Sequence, residues 1–477
     1  MITKISEYKN RQIPSSDLCI VGTGPAGMEL ARNFVSTGLS VTLLESGYED
    51  FNEQIQRLSR FQQAGRPIRC AEELPGVNDK DWRKQQYLLR RFGGLMNIWG
   101  GKWKALHPID FDKKPGIIES GWPIPYSTLY TYYESAAKSY EVAELLHVNK
   151  NPIRLPLLPY QHDCFSPSIY IKQDPPLDFI GGFHQLLIST DNIRLILGAT
   201  AVEIRLSENL SHVEKVIVRS IEGGEWIMKS KCFVLACGAI ENARLLLASN
   251  RQAGTGVGNA NDLVGRNFIE HPHGIVGRLE LSGTLTALAE AAVYKVGPKR
   301  FGFGLSINPA QLKDEQLPHH CLYLTSKTAG ETSYPVKIDL EQYPNFESRV
   351  CLSSERDELG MLKACLDWKF KELDYDGLKR FIEKMRLLFS LHSIGALTID
   401  ESLFDMKSLK DLAHPMGTTR MALNRENGVV DSNCKVFDID NLYIAGASVF
   451  PVSGNANPTF TIIALSRRLA DHLKVAF

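Results

Sequence analysis

The chain contains a histidine and an asparagine whose side chains suit the removal of a proton from a hydroxyl group. His414 begins the segment HPMG, and Asn457 lies in the segment ANPT. Imidazole titrates near neutral pH, so it can accept such a proton. A primary amide can hydrogen-bond the same oxygen and hold it in position. Each residue also has a structural alternative, because a lone histidine is often only hydrogen-bonded and an asparagine before a helix often caps it.

Two further histidines, His271 and His273, have a spacing that a metal site can use. Two ligands supply only half of a tetrahedral set, and no other cluster of His or Cys in the sequence completes it. We therefore expect no metal.

A glycine-rich turn near the N-terminus predicts a dinucleotide-binding unit. The apolar run DLCIV is typical of a buried parallel strand, and Gly22, Gly24 and Gly27 follow it at G-x-G-x-x-G spacing. Gly22 permits the tight turn, and Gly24 lets the backbone approach a pyrophosphate. Gly27 lets the next helix pack closely against the strand.

A helix and a second strand complete this unit. The pattern predicts a helix over 25–37, whose N-terminal N–H groups favour phosphate, and a strand over 41–44. Glu45 ends that strand and can accept hydrogen bonds from a ribose diol. An ordinary glycine-rich turn does not explain this acid. The unit by itself does not distinguish FAD from NAD.

The remaining periodicity predicts two more sheets. Alternating residues predict a small sheet from strands at 192–197, 201–206, 213–219 and 225–229, and an apolar strand over 231–237 precedes a helix that begins near Glu241. Later segments predict an antiparallel sheet and one long amphipathic helix, with strands at 275–279, 302–307 and 336–340 and the helix at 374–394.

We predict an α/β protein, α+β overall, with two domains. A Rossmann-like cofactor domain with a parallel sheet comprises 1–110, 190–275 and 408–477. A substrate domain with an antiparallel sheet and helices comprises 111–189 and 276–407. Irregular composition predicts loops and short helices over the cofactor at 48–86, and a loop at the substrate side at 152–176.

Bulk composition excludes several classes of partner. Lys plus Arg and Asp plus Glu both number 54, so net charge gives no case for nucleic acid or an anionic membrane. We find no apolar run of membrane-spanning length and no signal-peptide pattern before the glycine turn. The nine cysteines are scattered and form no C-x-x-C pair. Free thiols in a reducing compartment are expected, and we predict a cytoplasmic protein.

Motifs along the whole chain resemble those of the glucose–methanol–choline (GMC) oxidoreductases. The resemblance is closest to the branch with pyranose oxidases and bacterial sugar dehydrogenases. Besides the N-terminal unit, the similar motifs are RFGGLMNIWGG at 91–101, GWP at 121–123, CGAIEN at 237–242, VGRNFIEHPH at 264–273, QYPNFESRV at 342–350 and the segment 411–461. The resemblance implies the GMC fold, which is like that of p-hydroxybenzoate hydroxylase.

The resemblance also implies bound FAD. In some family members a histidine just before the motif's tryptophan carries the flavin covalently, but Ile98 stands there and has no nucleophile, so non-covalent FAD is expected. Asn97 would lie near the reactive edge of the flavin, and Val202 would meet the adenine through its backbone. The implied cofactor-binding residues are Gly22, Gly24, Pro25, Ala26, Gly27, Glu45, Ser46, Arg91, Gly93, Gly94, Asn97, Gly100, Gly101, Val202, Ala236, Cys237, Gly238, Glu241, Gly446, Ala447, Asn457, Pro458 and Thr459.

His414 and Asn457 match the family's catalytic pair. The resemblance implies that an alcohol, expected on a sugar, glycoside or polyol, is oxidised to a carbonyl. Hydride would pass to flavin N5 while His414 takes the hydroxyl proton. Oxygen or a soluble acceptor would then take the electrons, and a homo-oligomer stays open. Three alternatives also stay open, namely a flavin-binding lyase of the same fold, a redox-inactive binding protein and an NAD enzyme.

Overall fold

The computed structural model describes residues 1–68, 88–114, 117, 120–146, 163–282, 293–325, 328 and 330–477. The predicted loops at 48–86 and 152–176 therefore lie partly outside the described residues. Within the described part of the second one, Phe165–Gln173 is a strand and not a loop. It pairs along the whole of Lys299–Ile307, so a distant partner decides its conformation.

The described strands and helices are distributed along the whole chain. The strands are β1 (Ile2–Lys4), β2 (Gln12–Val21), β3 (Val41–Glu45), β4 (Gln62–Gln63), β5 (Lys102–Trp103), β6 (Phe165–Gln173), β7 (Ile193–Leu197), β8 (Thr200–Leu206), β9 (Val213–Arg219), β10 (Glu225–Leu235), β11 (His273–Leu281), β12 (Val293–Val296), β13 (Lys299–Ile307), β14 (Cys321–Leu324), β15 (Tyr334–Asp339), β16 (Arg349–Arg356), β17 (Leu362–Asp367), β18 (Gly395–Ile399) and β19 (Leu442–Ile444). The α-helices are α1 (Pro25–Arg32), α2 (Glu53–Arg57), α3 (Tyr126–Ser139), α4 (Phe179–Ser189), α5 (Gly238–Ala248), α6 (Pro309–Asp314), α7 (Glu372–Leu391) and α8 (Thr459–Ala476).

The first sheet contains the predicted dinucleotide-binding strands. Among the described residues it has eight strands in the order β1-β7-β3-β2-β10-β9-β8, with β19 beside β10. The pairs from β1 to β10, and the pair β10–β19, are parallel, whereas β9 and β8 add antiparallel strands. The carboxyl ends of β2, β3 and β10 therefore lie together at one edge, where ligands of open α/β sheets bind.

The predicted small sheet at 192–229 is not a separate sheet. β10 runs without a break from Glu225 to Leu235, although its register with β2 shifts between Met228 and Ser230. Its first half pairs with β9 and its second half pairs with β19. Two separate strands were predicted here because the polar residues near Ser230 interrupt the alternation, but a bulged strand tolerates such residues.

Helix α1 follows the glycine turn as predicted but is shorter. Pro25 stands in its first turn, where its missing N–H costs nothing. A Cβ added at Gly27 would lie 2.0 Å from the carbonyl oxygen of Gly22, so only glycine permits this packing. The helix ends at Arg32 because Asn33 donates to the carbonyl of Glu29 and Ser36 adopts a positive φ of 61°.

The second sheet is the predicted antiparallel one. It also has eight described strands, ordered β18-β11-β15-β14-β13-β6-β5, with β12 on β13. Helix α7 covers it with the apolar stripe that its sequence period predicts, and a separate core forms there. The resulting class, with one mainly parallel and one antiparallel sheet, confirms the predicted α/β fold.

A third sheet has three described strands. β16 and β17 pair with each other, and β17 pairs with β4. Both long strands lie within the range predicted for the substrate domain, yet Val350, Ala364 and Leu366 belong to the same core as the first sheet. We retain the two-domain division as a proposal, with this sheet at its border.

The two ends of the chain meet through a buried ion pair between α1 and α8. Arg467 Nε lies 2.5 Å from Glu29 Oε1, and the hydroxyl of Tyr140 donates to the other carboxylate oxygen. Glu29 is fully buried. This contact fixes α8 beside the glycine turn and so determines where the residues before α8 lie. No helix in the described part of the chain is long and apolar enough to span a bilayer.

Candidate active site

A cavity of about 480 Å³ extends from the glycine turn after β2 to His414 and Asn457. This volume falls within the range of ligand-binding pockets, about 300–1,000 Å³. The N-terminal ends of three helices line it, through Pro25 of α1, Gly238 of α5 and Thr459 of α8. First-turn N–H groups lack intrahelical partners and carry partial positive charge. The wall is therefore suited to an elongated ligand with anionic groups.

His414 and Asn457 meet at one end of this cavity. Asn457 Nδ2 lies 3.1 Å from His414 Nε2. The alternative role of Asn457 as a helix cap is not realised, because α8 begins at Thr459 after Pro458 with no capping bond from a side chain. Burial and the neighbouring His271 and Lys102 hold the pKa of His414 well below its usual range. The imidazole is therefore neutral at physiological pH and can accept a proton.

Glu270 anchors the backbone around His414. Its buried carboxylate accepts the backbone N–H groups of His271, Leu412 and His414. Burial and nearby Asp411 raise the pKa of Glu270 to about 8, although the three N–H donors oppose that shift. One side chain thus holds two segments far apart in the sequence.

His271 contacts His414 directly. The two Nδ1 atoms lie 3.0 Å apart, and His271 Nε2 lies 3.2 Å from the carbonyl oxygen of Ser453 and 3.0 Å from that of Gly454. His271 is buried. In the described ranges no group of three His, Cys, Asp or Glu side chains is placed to hold a metal ion.

A lysine lies on the cavity wall near the same end. Lys102 Nζ is 3.8 Å from the carboxylate of Asp339 and 4.3 Å from the ring centroid of Tyr170. Burial lowers the pKa of Lys102 to about 8, and Asp339 opposes the shift. Sequence reasoning missed this residue because one lysine next to a glycine pair carries no spacing signal.

Comparison with known proteins gives a family match over the part of the chain that contains His414 and Asn457. The family model for GMC oxidoreductase, C-terminal part, matches residues 344–466, which include both His414 and Asn457. Over this part the chain is similar to the GMC oxidoreductases.

Two curated relatives are similar along nearly the whole chain. The 6'''-hydroxyparomomycin C oxidase of Streptomyces lividus is 26% identical, with 96% of this chain and 92% of the relative covered. The paromamine 6'-oxidase of Streptomyces fradiae is 23% identical, with 95% and 90% covered. A solved formate oxidase from Aspergillus oryzae matches 98% of this chain and 99% of its own with a TM-score of 0.62. At 17% identity it shows the shared fold alone.

GMC oxidoreductases use FAD, and the residues of this cavity fit it. A Cβ placed on Gly24 would meet no atom within 4 Å, so the turn holds open space where a pyrophosphate would pass. Glu45 lines the wall beside it and accepts hydrogen bonds from Thr23 and Gly47, which orient its carboxylate. At the other end Gly446, at a φ of 113°, brings the backbone onto the wall.

Most of the predicted cofactor and catalytic residues line this cavity. They are Gly22, Gly24, Pro25, Ala26, Glu45, Ser46, Gly94, Gly100, Ala236, Cys237, Gly238, Glu241, His414, Gly446, Ala447, Asn457, Pro458 and Thr459.

Six predicted cofactor residues do not line the cavity. The amide of Asn97 bonds the carbonyls of Phe92 and Gly94, and so stabilises the short turn beneath the wall. Gly27 lies under α1, and Arg91 Nε donates to the carbonyl oxygen of Glu49. The backbone N–H of Gly93 donates to the hydroxyl of Thr23, and Gly101 packs against Gln173. Val202 is buried behind the lining residue Ala201.

Arg90 is a cavity residue that the sequence analysis missed. Its guanidinium lies 2.5 Å from Glu241 and 3.0 Å from the hydroxyl of Ser46, and all three residues line the wall. The motif recognised in the sequence begins at Arg91, one residue later, so it did not include Arg90. A largely buried Arg–Glu pair on this wall suits the sugar and phosphate part of a dinucleotide.

Replacing Gly24 with alanine should weaken FAD binding and leave the fold intact. The new methyl group would occupy the open cradle, and the φ of −64° and ψ of −176° at Gly24 suit alanine. We expect the Kd for FAD to rise by about tenfold or more, equal to about 1.4 kcal/mol. Titration of the apoprotein followed by fluorescence measures it. The matched control is Gly182→Ala on α4, where the added methyl also meets nothing. An unchanged Kd in Gly24→Ala would contradict the cradle.

Proposed function

We propose that this protein is an FAD-dependent oxidoreductase that oxidises an alcohol group of a sugar, glycoside or polyol to a carbonyl. One observation carries the proposal: His414 and Asn457 lie in hydrogen-bond contact at the end of the cavity that α8 faces. FAD, when bound, supplies the acceptor for the hydride that leaves the alcohol carbon.

The protein's own residues prepare the alcohol for this step. Asn457 Nδ2 contacts His414 Nε2 at 3.1 Å, and a substrate hydroxyl would replace this contact, donating to Nε2 and accepting from the amide of Asn457. Loss of a proton to His414 raises the electron density on that oxygen and favours departure of hydride from its carbon. The neutral state of His414, which burial maintains, makes it a base and not an acid.

The substrate class rests on the relatives and on the cavity wall. The two Streptomyces relatives are a 6'''-hydroxyparomomycin C oxidase and a paromamine 6'-oxidase. Lys102 adds a hydrogen-bond donor and Asp339 lies behind it, which suits a ligand with several hydroxyl groups. We propose oxygen or a soluble acceptor as the electron acceptor, and a cytoplasmic location, as the sequence predicts.

An anaerobic screen tests this function. The FAD-loaded protein is mixed with hexoses, their methyl glycosides, their 6-deoxy forms and linear polyols, and the flavin absorbance is followed. Reduction by one of a matched pair identifies the oxidised carbon. A flavin-dependent lyase would cleave its substrate without this change. A redox-inactive binding protein would show no reduction across the screen and none with artificial acceptors.

The flavin should be released completely when the protein is denatured in acid. Ile98 lines the cavity where a covalent linkage would need a nucleophilic side chain, and its carbon atoms cannot form one. We expect all yellow colour in the supernatant after precipitation, measured by absorbance of both fractions. Colour that stays with the precipitated chain and survives on a denaturing gel would contradict non-covalent binding.

A further inference from the structure

We infer that His271 is a positioning residue that holds His414 in the tautomer whose Nε2, the nitrogen beside Asn457, carries no proton. His271 does not line the cavity, so it acts only through His414. The inference rests on the proposed role of His414 as base and adds a second residue to that site.

The hydrogen-bond pattern of His271 leaves one assignment of protons. Its Nε2 faces the carbonyl oxygens of Ser453 and Gly454 at 3.2 and 3.0 Å. Carbonyl oxygens only accept, so Nε2 must carry a proton. In a neutral imidazole the other nitrogen is then an acceptor, which makes His271 Nδ1 the bare one.

The contact between the two rings then determines the tautomer of His414. His271 Nδ1 and His414 Nδ1 are 3.0 Å apart, and such a contact needs one proton between them. Because His271 Nδ1 is bare, His414 Nδ1 must donate. His414 Nε2 is therefore the free base, and the amide N–H of Asn457 at 3.1 Å matches it.

The surroundings keep His271 neutral, which the assignment requires. Burial lowers the pKa of His271 to about 4, while Asp339 and the two carbonyls oppose that shift and Lys104 adds to it. A protonated His271 would direct a second N–H at His414 Nδ1 and reverse the tautomer of His414.

The backbone holds the two rings in register. Ile269 and Met416 exchange both backbone hydrogen bonds, and so do His273 and Lys410. His271 therefore lies opposite the middle of the segment 410–416. Glu270 accepts the backbone N–H of both His271 and His414, and the two rings meet nearly at right angles, at 86°. This frame directs the lone pair of one ring at the N–H of the other.

Two variants of the FAD-loaded protein test the role of His271. His271→Asn keeps an acceptor oxygen near the position of Nδ1, whereas His271→Phe keeps a ring without one. We expect the rate of flavin reduction by alcohol to fall about tenfold in the phenylalanine variant. It should stay within about threefold of the wild type in the asparagine variant, with substrate affinity unchanged in both. A merely structural role would lower rate and affinity together, in both variants and in step with the melting temperature.

Nitrogen NMR of histidine-labelled holoenzyme measures the tautomer without any turnover. The signals of residue 414 are identified by their loss in His414→Gln. We expect a bare Nε2 and a protonated Nδ1 in the wild type, and a gain of Nε2–H in His271→Phe. A protonated Nε2 in the wild type, or an unchanged tautomer in His271→Phe, would overturn the inference. If His414→Gln reduces flavin normally, the proposed base fails, whereas the tautomer result stands by itself.

Discussion

Replacing His414 with alanine should lower alcohol-dependent flavin reduction by about 10²-fold or more while FAD stays bound. The imidazole is the group beside Asn457 that can take the hydroxyl proton, and its low pKa keeps it in the base form. Because the base form exists above that pKa, we expect the wild-type rate to hold as the pH falls from about 8 to 6. Stopped-flow reduction under anaerobic conditions measures both effects.

Two further variants separate proton removal from other causes. His414→Gln keeps a polar group beside Asn457 but cannot accept a proton at neutral pH, so its loss should match that of alanine. His472→Ala, on the far part of α8 against Tyr443, should reduce flavin at the normal rate. Normal reduction in His414→Ala would remove this residue from the mechanism.

Replacing Arg467 with leucine should destabilise the protein by about 3–5 kcal/mol, because the buried carboxylate of Glu29 then loses its nearer cation and keeps only the longer contact to Arg32 at 3.9 Å. Arg467 also donates to the hydroxyl of Ser135, so one side chain joins α8 to both α1 and α3. Denaturant unfolding measures the loss. FAD affinity should fall as well, because α8 and the glycine turn both line the cavity.

An exposed ion pair provides the matched control. Arg425 pairs with Asp438 at 3.2 Å on the surface, and Arg425→Leu should leave the denaturation midpoint nearly unchanged because solvent screens this pair. The double variant Glu29→Met with Arg467→Met should regain much of the lost stability, since both charges are then removed. A double variant as unstable as Arg467→Leu would show that packing, and not the unpaired charge, causes the loss.

The sequence predicted those parts of the site that contiguous residues determine. Gly22, Gly24 and Gly27 need only their own spacing to form a turn before a helix. The resemblance of the C-terminal motif to that of the GMC family indicated His414 and Asn457 as a pair. For the same reason the fold class was predictable, because period and apolar content indicate strand and helix locally.

Only the tertiary structure decided what depends on residues far apart. The bond from Asn457 to His414, the contact of His271 with His414, the place of Arg90 on the wall and the unbroken β10 all join segments that share no local pattern. A side chain's direction is set by which distant elements pack against it and which backbone groups they leave to bind. Spacing along the chain carries no record of these contacts, so the sequence indicated candidate residues and the fold determined which of them meet.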